Sequence, residues 1–414
     1  LDGGFFRSGA TADFSLIDVD KVATTNAEMA LLLAYAEQVT GERIYRLFAQ
    51  KTFDALISDL SINGYITPSR RGDDGARGRS RRASFSSRFL RDSQNEGKLD
   101  RSTVDFANEN LGLDAGSNDQ MLVRVEDLSL IEDNDTFDQA LAALRKLKAG
   151  VPVVHNRGRY LDVNAHVCAI LLRVARMWND HERLALAKAL FERLDDFVAA
   201  DDVRHTIDMY RSMEPYLNDY LAYADAAFQY FLATGDAATL ARGLSVLLRA
   251  EFVFGTDESP AWNLSVRPRG EPWPPNIHAP EVLDTECEAG LARQMRLCRL
   301  YGAINNSPDS NSLAITAVSL QEQYGPLVSS LGPGAGGAMS SLAEATYHGF
   351  IYVVGPGAVK NALQIASIAP DYTVLPVVGM VRPDLQRDSV GVYLERQGQI
   401  EGPISLEEAR AQLT

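Results

Sequence analysis

The chain has 414 residues, 46% of them hydrophobic and 23% charged, and a net charge of −15 from 40 Lys and Arg against 55 Asp and Glu. These are globular proportions, enough for two or three domains at roughly 100–200 residues each, and they exclude a disordered or collagen-like chain. The acidic balance argues against a nucleic-acid partner, and no apolar run is long enough for a transmembrane segment.

The strongest pattern is a recurring helical hairpin. Over 25–60, Leu31, Leu32, Tyr35 and Val39 fall at helical spacing, and Thr40-Gly41-Glu42 stops the helix. A second helix then carries Tyr45, Phe48, Phe53, Leu56 and Leu60. Residues 163–198 repeat the design around Asn179-Asp180-His181-Glu182, with Ile170, Leu171, Val174 and Trp178 before it and Leu186, Leu190, Leu194 and Phe197 after. Residues 216–254 repeat it around Thr234-Gly235-Asp236, and 284–302 give the first helix of a fourth unit. Gly or Asn supplies each left-handed stop, and an acidic residue opens the next helix. Such hairpins build an α-solenoid or an (α/α) toroid, and the long irregular segments 61–135, 199–214 and 255–283 favour the toroid. Each first helix is expected on the inner ring.

Residues 70–91 hold eight Arg and two Asp without apolar periodicity, which predicts an exposed basic loop. Its Arg79, Arg81 and Arg82 are candidates for docking a protein partner, and Arg81-Arg82-Ala83-Ser84 has the form of a basophilic phosphorylation site. A Ser-, Gly- and Asn-rich stretch over 303–345, with Gly332-Pro333-Gly334-Ala335-Gly336-Gly337, predicts a flexible linker. Beyond it, strand-like runs at 350–354, 372–378 and 390–396 alternate with helices at 358–368 and 405–413, the last capped by Ser405. The predicted organisation is a mainly α toroid over 1–302, the linker over 303–345, and a small α/β cap over 346–414.

A toroid enzyme needs carboxylates at the N-termini of its inner helices, one raised in pKa and one ionised. The candidates are Asp18, Asp20, Asp162, Asp219, Asp284, Glu286 and Glu288, and the catalytic set read from them is Asp219 with Asp162 or Glu288. The structural alternative for Asp219, as for Glu286 and Glu288, is an acid that complements the helix dipole. Tyr220 is a candidate binding residue among Tyr216, Tyr223, Phe228, Tyr230 and Phe231, which would line a sugar pore or fill a core. The six histidines show no metal-ligand spacing, and Gly355-Pro356-Gly357 lacks the pattern of a dinucleotide site, so neither metal nor cofactor is expected. Cys168, Cys287 and Cys298 are too few for a disulfide framework and suit a reducing compartment. The chain begins at Leu1, so a processed or truncated product is expected, with any targeting signal not visible.

The order of these elements resembles the YyaL family, which includes mammalian spermatogenesis-associated thioredoxin-domain proteins. Leu1-Asp2-Gly3-Gly4-Phe5 is similar to its G-G-F stretch, and Asp18 through Ala27 to its H-F-E-K-M-L-Y-D-N-A. Asn218-Asp219-Tyr220 is similar to its D-D-Y, Tyr230 through Asp236 to its L-Y-E-A-T-G-D, and Val392 through Pro403 to its V-Y-x-C-x4-C-x2-P. The resemblance covers essentially the whole chain and implies an (α/α)6 toroid, complete or incomplete, without the family's N-terminal thioredoxin-like domain. The departures are in polar groups. Asp18, Asp20 and Thr25 replace the family's His, Glu and Asp, and 156–165 lacks its D-D-K-V-L-T-x-W-N-A acids. Thr285-Glu286-Cys287-Glu288 stands for its S-G-N-S, and Glu395 and Ile400 stand for its cysteines. Packing kept while mouth chemistry is exchanged implies a non-catalytic scaffold or accessory subunit of a larger assembly. The alternatives are a sugar-active enzyme, epimerase- or glycosidase-like, and a fragment of a thiol-redox protein.

Overall fold

The computed structural model describes residues 3–9, 17–18, 20–71, 87–110, 135–148, 154–199, 202–208, 213–256, 259–265, 280–285, 287–369, 371–396 and 398–413. The chain divides into two compact units, Leu1–Gly158 and Arg159–Thr414, rather than at the predicted boundary after 302.

In the first unit, helices α1 (Ala23–Thr40) and α2 (Arg43–Ser58) form the predicted hairpin. Gly41, at φ 73°, makes the left-handed stop, its N–H donating to the carbonyl of Glu37. The buried face of α1 is not the predicted one. Asn26, Ala27, Ala30 and Ala34 point inward, while Leu32 and Val39 are 59% and 83% exposed. Strand Lys21–Val22 precedes α1 and pairs with Ser69–Arg71, which pairs in turn with Val154–His155. Helices α3 (Ser87–Asn95) and α4 (Arg101–Asn110) occupy part of the segment read as irregular, and α5 (Asp135–Lys148) begins where it ends. They share a core of Leu90, Leu99, Val104, Phe137, Leu141 and Leu144.

The ends of the predicted basic loop are therefore structured. Arg70 is 3% exposed and ion-paired with Asp59, which also faces Lys21. The half-buried Asp59 carboxylate between two buried cations offsets the cost of their desolvation. Residues 72–86, with Arg79, Arg81 and Arg82, lie outside the described residues.

The second unit opens with two hairpins, α6 (Leu161–Met177) with α7 (His181–Glu192), and α8 (Leu217–Thr234) with α9 (Ala237–Phe254). Asp180 caps α7 through the N–H of Arg183, and Asp236 caps α9 through the N–H groups of Ala238 and Thr239. α10 (Gly290–Gly302) follows, then α11 (Pro308–Leu331) and α12 (Gly336–Tyr347). α6 packs on α8 and α8 on α10; these first helices are buried on nearly every face, with α7, α9 and α11 partly exposed outside them. This is the inner and outer layering of an (α/α) toroid, the fold class the sequence predicts.

Residues 303–345 are not a linker. Ser307 caps α11 through the N–H of Ser310, Pro308 takes the first helical position, and Leu313, Ala317 and Leu320 recur at helical spacing inside. Polar composition hid a buried stripe of only one residue per turn.

The C-terminal cap has a four-stranded sheet in the order Tyr372–Pro376, Gly349–Val354, Gly391–Arg396, Gln399–Ile404; the first pair is parallel and the others antiparallel. Ile351, Val353, Val374 and Val392 pack together with Ala362 and Ile365 of α13 (Ala358–Ala366). Ser405 and Glu408 cap α14 (Leu406–Leu413) reciprocally. The strand Gln399–Ile404 was not predicted. Its outward residues are polar, and its partner Gly391–Arg396 carries the apolar signal.

The cap is fixed to the C-terminal ends of the inner helices. The N–H of Arg382 donates to the carbonyl of Ile304 over 2.7 Å, and the side chain of Val359 abuts Gly235.

Candidate active site

The N-termini of α6 and α8 meet around Asp219, the third residue of α8, which is fully buried. Its carboxylate accepts the N–H of Tyr216 over 2.8 Å and the N–H of Asp162 over 3.1 Å. The Nδ1 of His205 lies 3.0 Å from both of its oxygens. Asp219 thus ties together the starts of two helices and the segment before α8. The carbonyl of His205 completes this strap by accepting the N–H of Leu161. The imidazole lies 5.0 Å from the Tyr160 ring in a tilted stack and 5.2 Å from Tyr216 edge-on.

This environment shifts the pKa of two groups. Burial alone would lower the pKa of His205, but the hydrogen bond and charge of Asp219, with the charge of Asp162, outweigh it and raise it. Asp162 is only partly buried by surface. Its pKa is raised by desolvation and by repulsion from Asp219, against the opposing charges of His205 and Arg293. Both groups are thus shifted upward, the imidazole by its carboxylate neighbours and the Asp162 carboxyl by burial and like charge.

Asp162, His205 and Asp219 also bring one ligand atom each within 4.8 Å of one another, the grouping that a cation would use. The hydrogen bonds favour proton sharing instead. Asp219 already accepts two backbone N–H groups, and Nδ1 of His205 spends its proton on the same carboxylate.

Deeper between the helices lies a second ionic cluster. Arg296 bonds Asp225 at 3.1 and 3.0 Å and Glu288 at 2.6 Å. Arg293 lies 3.5 Å from Glu288 and donates to Nδ1 of His166 over 2.9 Å. Burial alone would raise the pKa of Asp225, but Arg296 brings it down to about 2.

Of the residues predicted for catalysis, Asp162 and Asp219 come together, while Glu288 is paired with Arg293 and Arg296. Asp219 also performs the helix-terminal role weighed against catalysis. Asp284 accepts the N–H groups of Ala289 and Gly337, a structural cap. Asp18 and Asp20 belong to the first unit, and Glu286 lies outside the described residues. Tyr220, predicted to bind, is buried edge-on against Phe254, and Tyr223, Phe228 and Phe231 are core as well. Cys168 and Cys298 are fully buried, and desolvation pushes both thiols well up. Sequence reasoning missed His205, Arg293 and Arg296. His205 sits in an irregular segment, and the arginines are spaced as on a solvated helix face.

No family model matches the chain, and no curated protein matches it. Among solved structures it is similar to a sugar epimerase from a ruminal bacterium at 11% identity and a TM-score of 0.42, covering 79% of this chain and 63% of that one. It is also similar to cellobiose 2-epimerase from Bacillus thermoamylovorans B4167 at 11% identity and a TM-score of 0.44, covering 78% and 66%. A D-mannose isomerase is similar at 13% identity and a TM-score of 0.36, covering 77% and 79%. The chain thus spans 63% and 66% of the two epimerases' own lengths.

Proposed function

We propose that residues 159–414 carry an acid–base site acting on a small sugar, of the epimerase or isomerase type. The observation that carries this reading is the juxtaposition of partly exposed Asp162 with His205, itself held by buried Asp219. In the proposed step, the Asp162 carboxylate takes the proton from the carbon next to the carbonyl of an open-chain sugar. The C–H electron pair moves toward the carbonyl, whose oxygen takes the His205 proton, giving an enediol. His205 then removes the proton of the neighbouring hydroxyl, and Asp162 returns its proton to carbon. Tyr160 and Tyr216 offer flat faces beside these groups.

Glycoside hydrolysis is less well supported. It needs two carboxyls across the scissile bond, about 5 Å apart or more. Here Asp219 lies beside Asp162 and its oxygens are already committed to N–H donors. The test is incubation of aldoses and ketoses in D2O, followed by NMR. Deuterium should enter at the exchanging carbon, and Asp162→Asn and His205→Gln should each slow this by about 10²-fold or more. No exchange with any sugar would sink the reading.

A second reading, the scaffold, is favoured by the buried pairs of Arg293 and Arg296, which commit Glu288 and Asp225 to holding helices. On it the chain would be a diverged YyaL-type toroid whose Arg-rich segment 70–91 docks a protein partner. Replacing Arg79, Arg81 and Arg82 with Ser should then weaken association with whatever co-purifies, and unchanged affinity removes the docking role.

A further inference from the structure

We propose that Arg293 is a positioning residue that locks His166 in the tautomer carrying its proton on Nε2. This places a neutral imidazole one helical turn from Asp162, and its role in turnover rests on the acid–base reading above. Guanidinium N–H groups can only donate, so at 2.9 Å the Nδ1 of His166 must accept, and the ring proton resides on Nε2. Both partners are buried, at 1% and 4% exposure, so water does not compete for the bond.

The location gives the lock its use. His166 follows Asp162 by four residues on α6, so both lie on one face, and a helical side chain leans back toward the N-terminus and the turn that holds Asp162. Arg293 comes from α10, and its charge also acts on Asp162. The charged groups around this column include His205 and Asp219 beside Asp162, and Glu288, Asp225 and Arg296 near Arg293. A second proton on His166 would set N–H against N–H at Arg293 and add a cation close to the proposed base. The two histidines are thus fixed by different partners: His205 by the carboxylate of Asp219, His166 by the guanidinium of Arg293.

The test is long-range ¹H–¹⁵N correlation of the imidazoles in the whole chain at about pH 8, above the usual histidine range. His166, assigned by its loss in His166→Asn, should show an unprotonated Nδ1 and a protonated Nε2. Arg293→Lys, which keeps a donor, should retain that pattern. Arg293→Met, checked for native circular dichroism, should shift His166 to a mixture of tautomers. A proton on Nδ1 in the parent, or an unchanged pattern in Arg293→Met, overturns the proposal; should that variant not fold, the parent and Arg293→Lys spectra still decide. The spectra need no substrate. The expected spectra with no sugar exchange would uphold the lock and remove the acid–base reading, and the opposite pair of results would do the reverse. If both stand, Arg293→Met should lower kcat about 10-fold or more with KM little changed.

Discussion

Arg296 on α10 clasps Asp225 on α8 through two parallel hydrogen bonds, at 3.1 and 3.0 Å, with both side chains buried. Two inner helices are joined there by charge as well as by apolar contact. Asp225→Ala should therefore lower stability by about 3–5 kcal/mol, since it leaves the guanidinium with Glu288 alone. Replacing both partners together, as Asp225→Leu with Arg296→Met, should cost much less. Urea unfolding of the single and double variants checks this. Equal losses would show that the pair itself contributes little.

The same pair predicts acid sensitivity. The folded pKa of Asp225, about 2, lies below the ordinary aspartate value of 3.8, so its stabilisation is complete above the unfolded value and is lost as pH falls through the folded one. Parent stability should drop between about pH 4 and pH 2. In Asp225→Asn that part of the drop should be missing. Unfolding midpoints measured across this range would show it.

Asp219→Asn should remove the negative charge that raises the His205 pKa. The imidazole pKa then falls, because burial still disfavours the charged ring. In the parent, the raised value means the pair's stabilisation is complete below the unfolded histidine range, about pH 6.5, and fades as pH rises through the folded pKa. The variant should lose about 2 kcal/mol at low pH, through the bonds of Tyr216 and Asp162 as well as His205. NMR titration of His205 in parent and variant decides the direction.

Gly41 and Gly235 stop their helices at nearly the same φ, 73° and 75°, but in different surroundings. A side chain at Gly41 would meet open space, so Gly41→Ala should cost about 1 kcal/mol for the left-handed backbone alone. At Gly235 it would strike the Val359 methyl, so Gly235→Ala should cost about 3 kcal/mol. Thermal unfolding of the two variants should separate them. Equal shifts would mean that the cap yields at Val359.

The hairpins were legible because each stop is local. Thr40-Gly41-Glu42 and Thr234-Gly235-Asp236 hold both the left-handed residue and the next helix's opening acid within three positions. The site was only half legible. Asp162 and Asp219 stand out as helix-start acids, but His205 is set by a contact fourteen residues away through an irregular segment. The charges on α10 were misjudged for a related reason. Arg293 and Arg296 are spaced like solvated residues, and only their partners on α6, on α8 and at Glu288 make them interior. Composition misled over 303–345, where Ser and Gly conceal the narrow stripe of Leu313, Ala317 and Leu320.

The attachment of the cap to the C-terminal ends of α8 and α10 puts it at the opposite pole from Asp162 and His205. Eighteen residues of α8 separate those poles, about 27 Å at 1.5 Å per residue. Within this unit the cap therefore packs at one end of the inner helices, and the acid–base groups sit at the other.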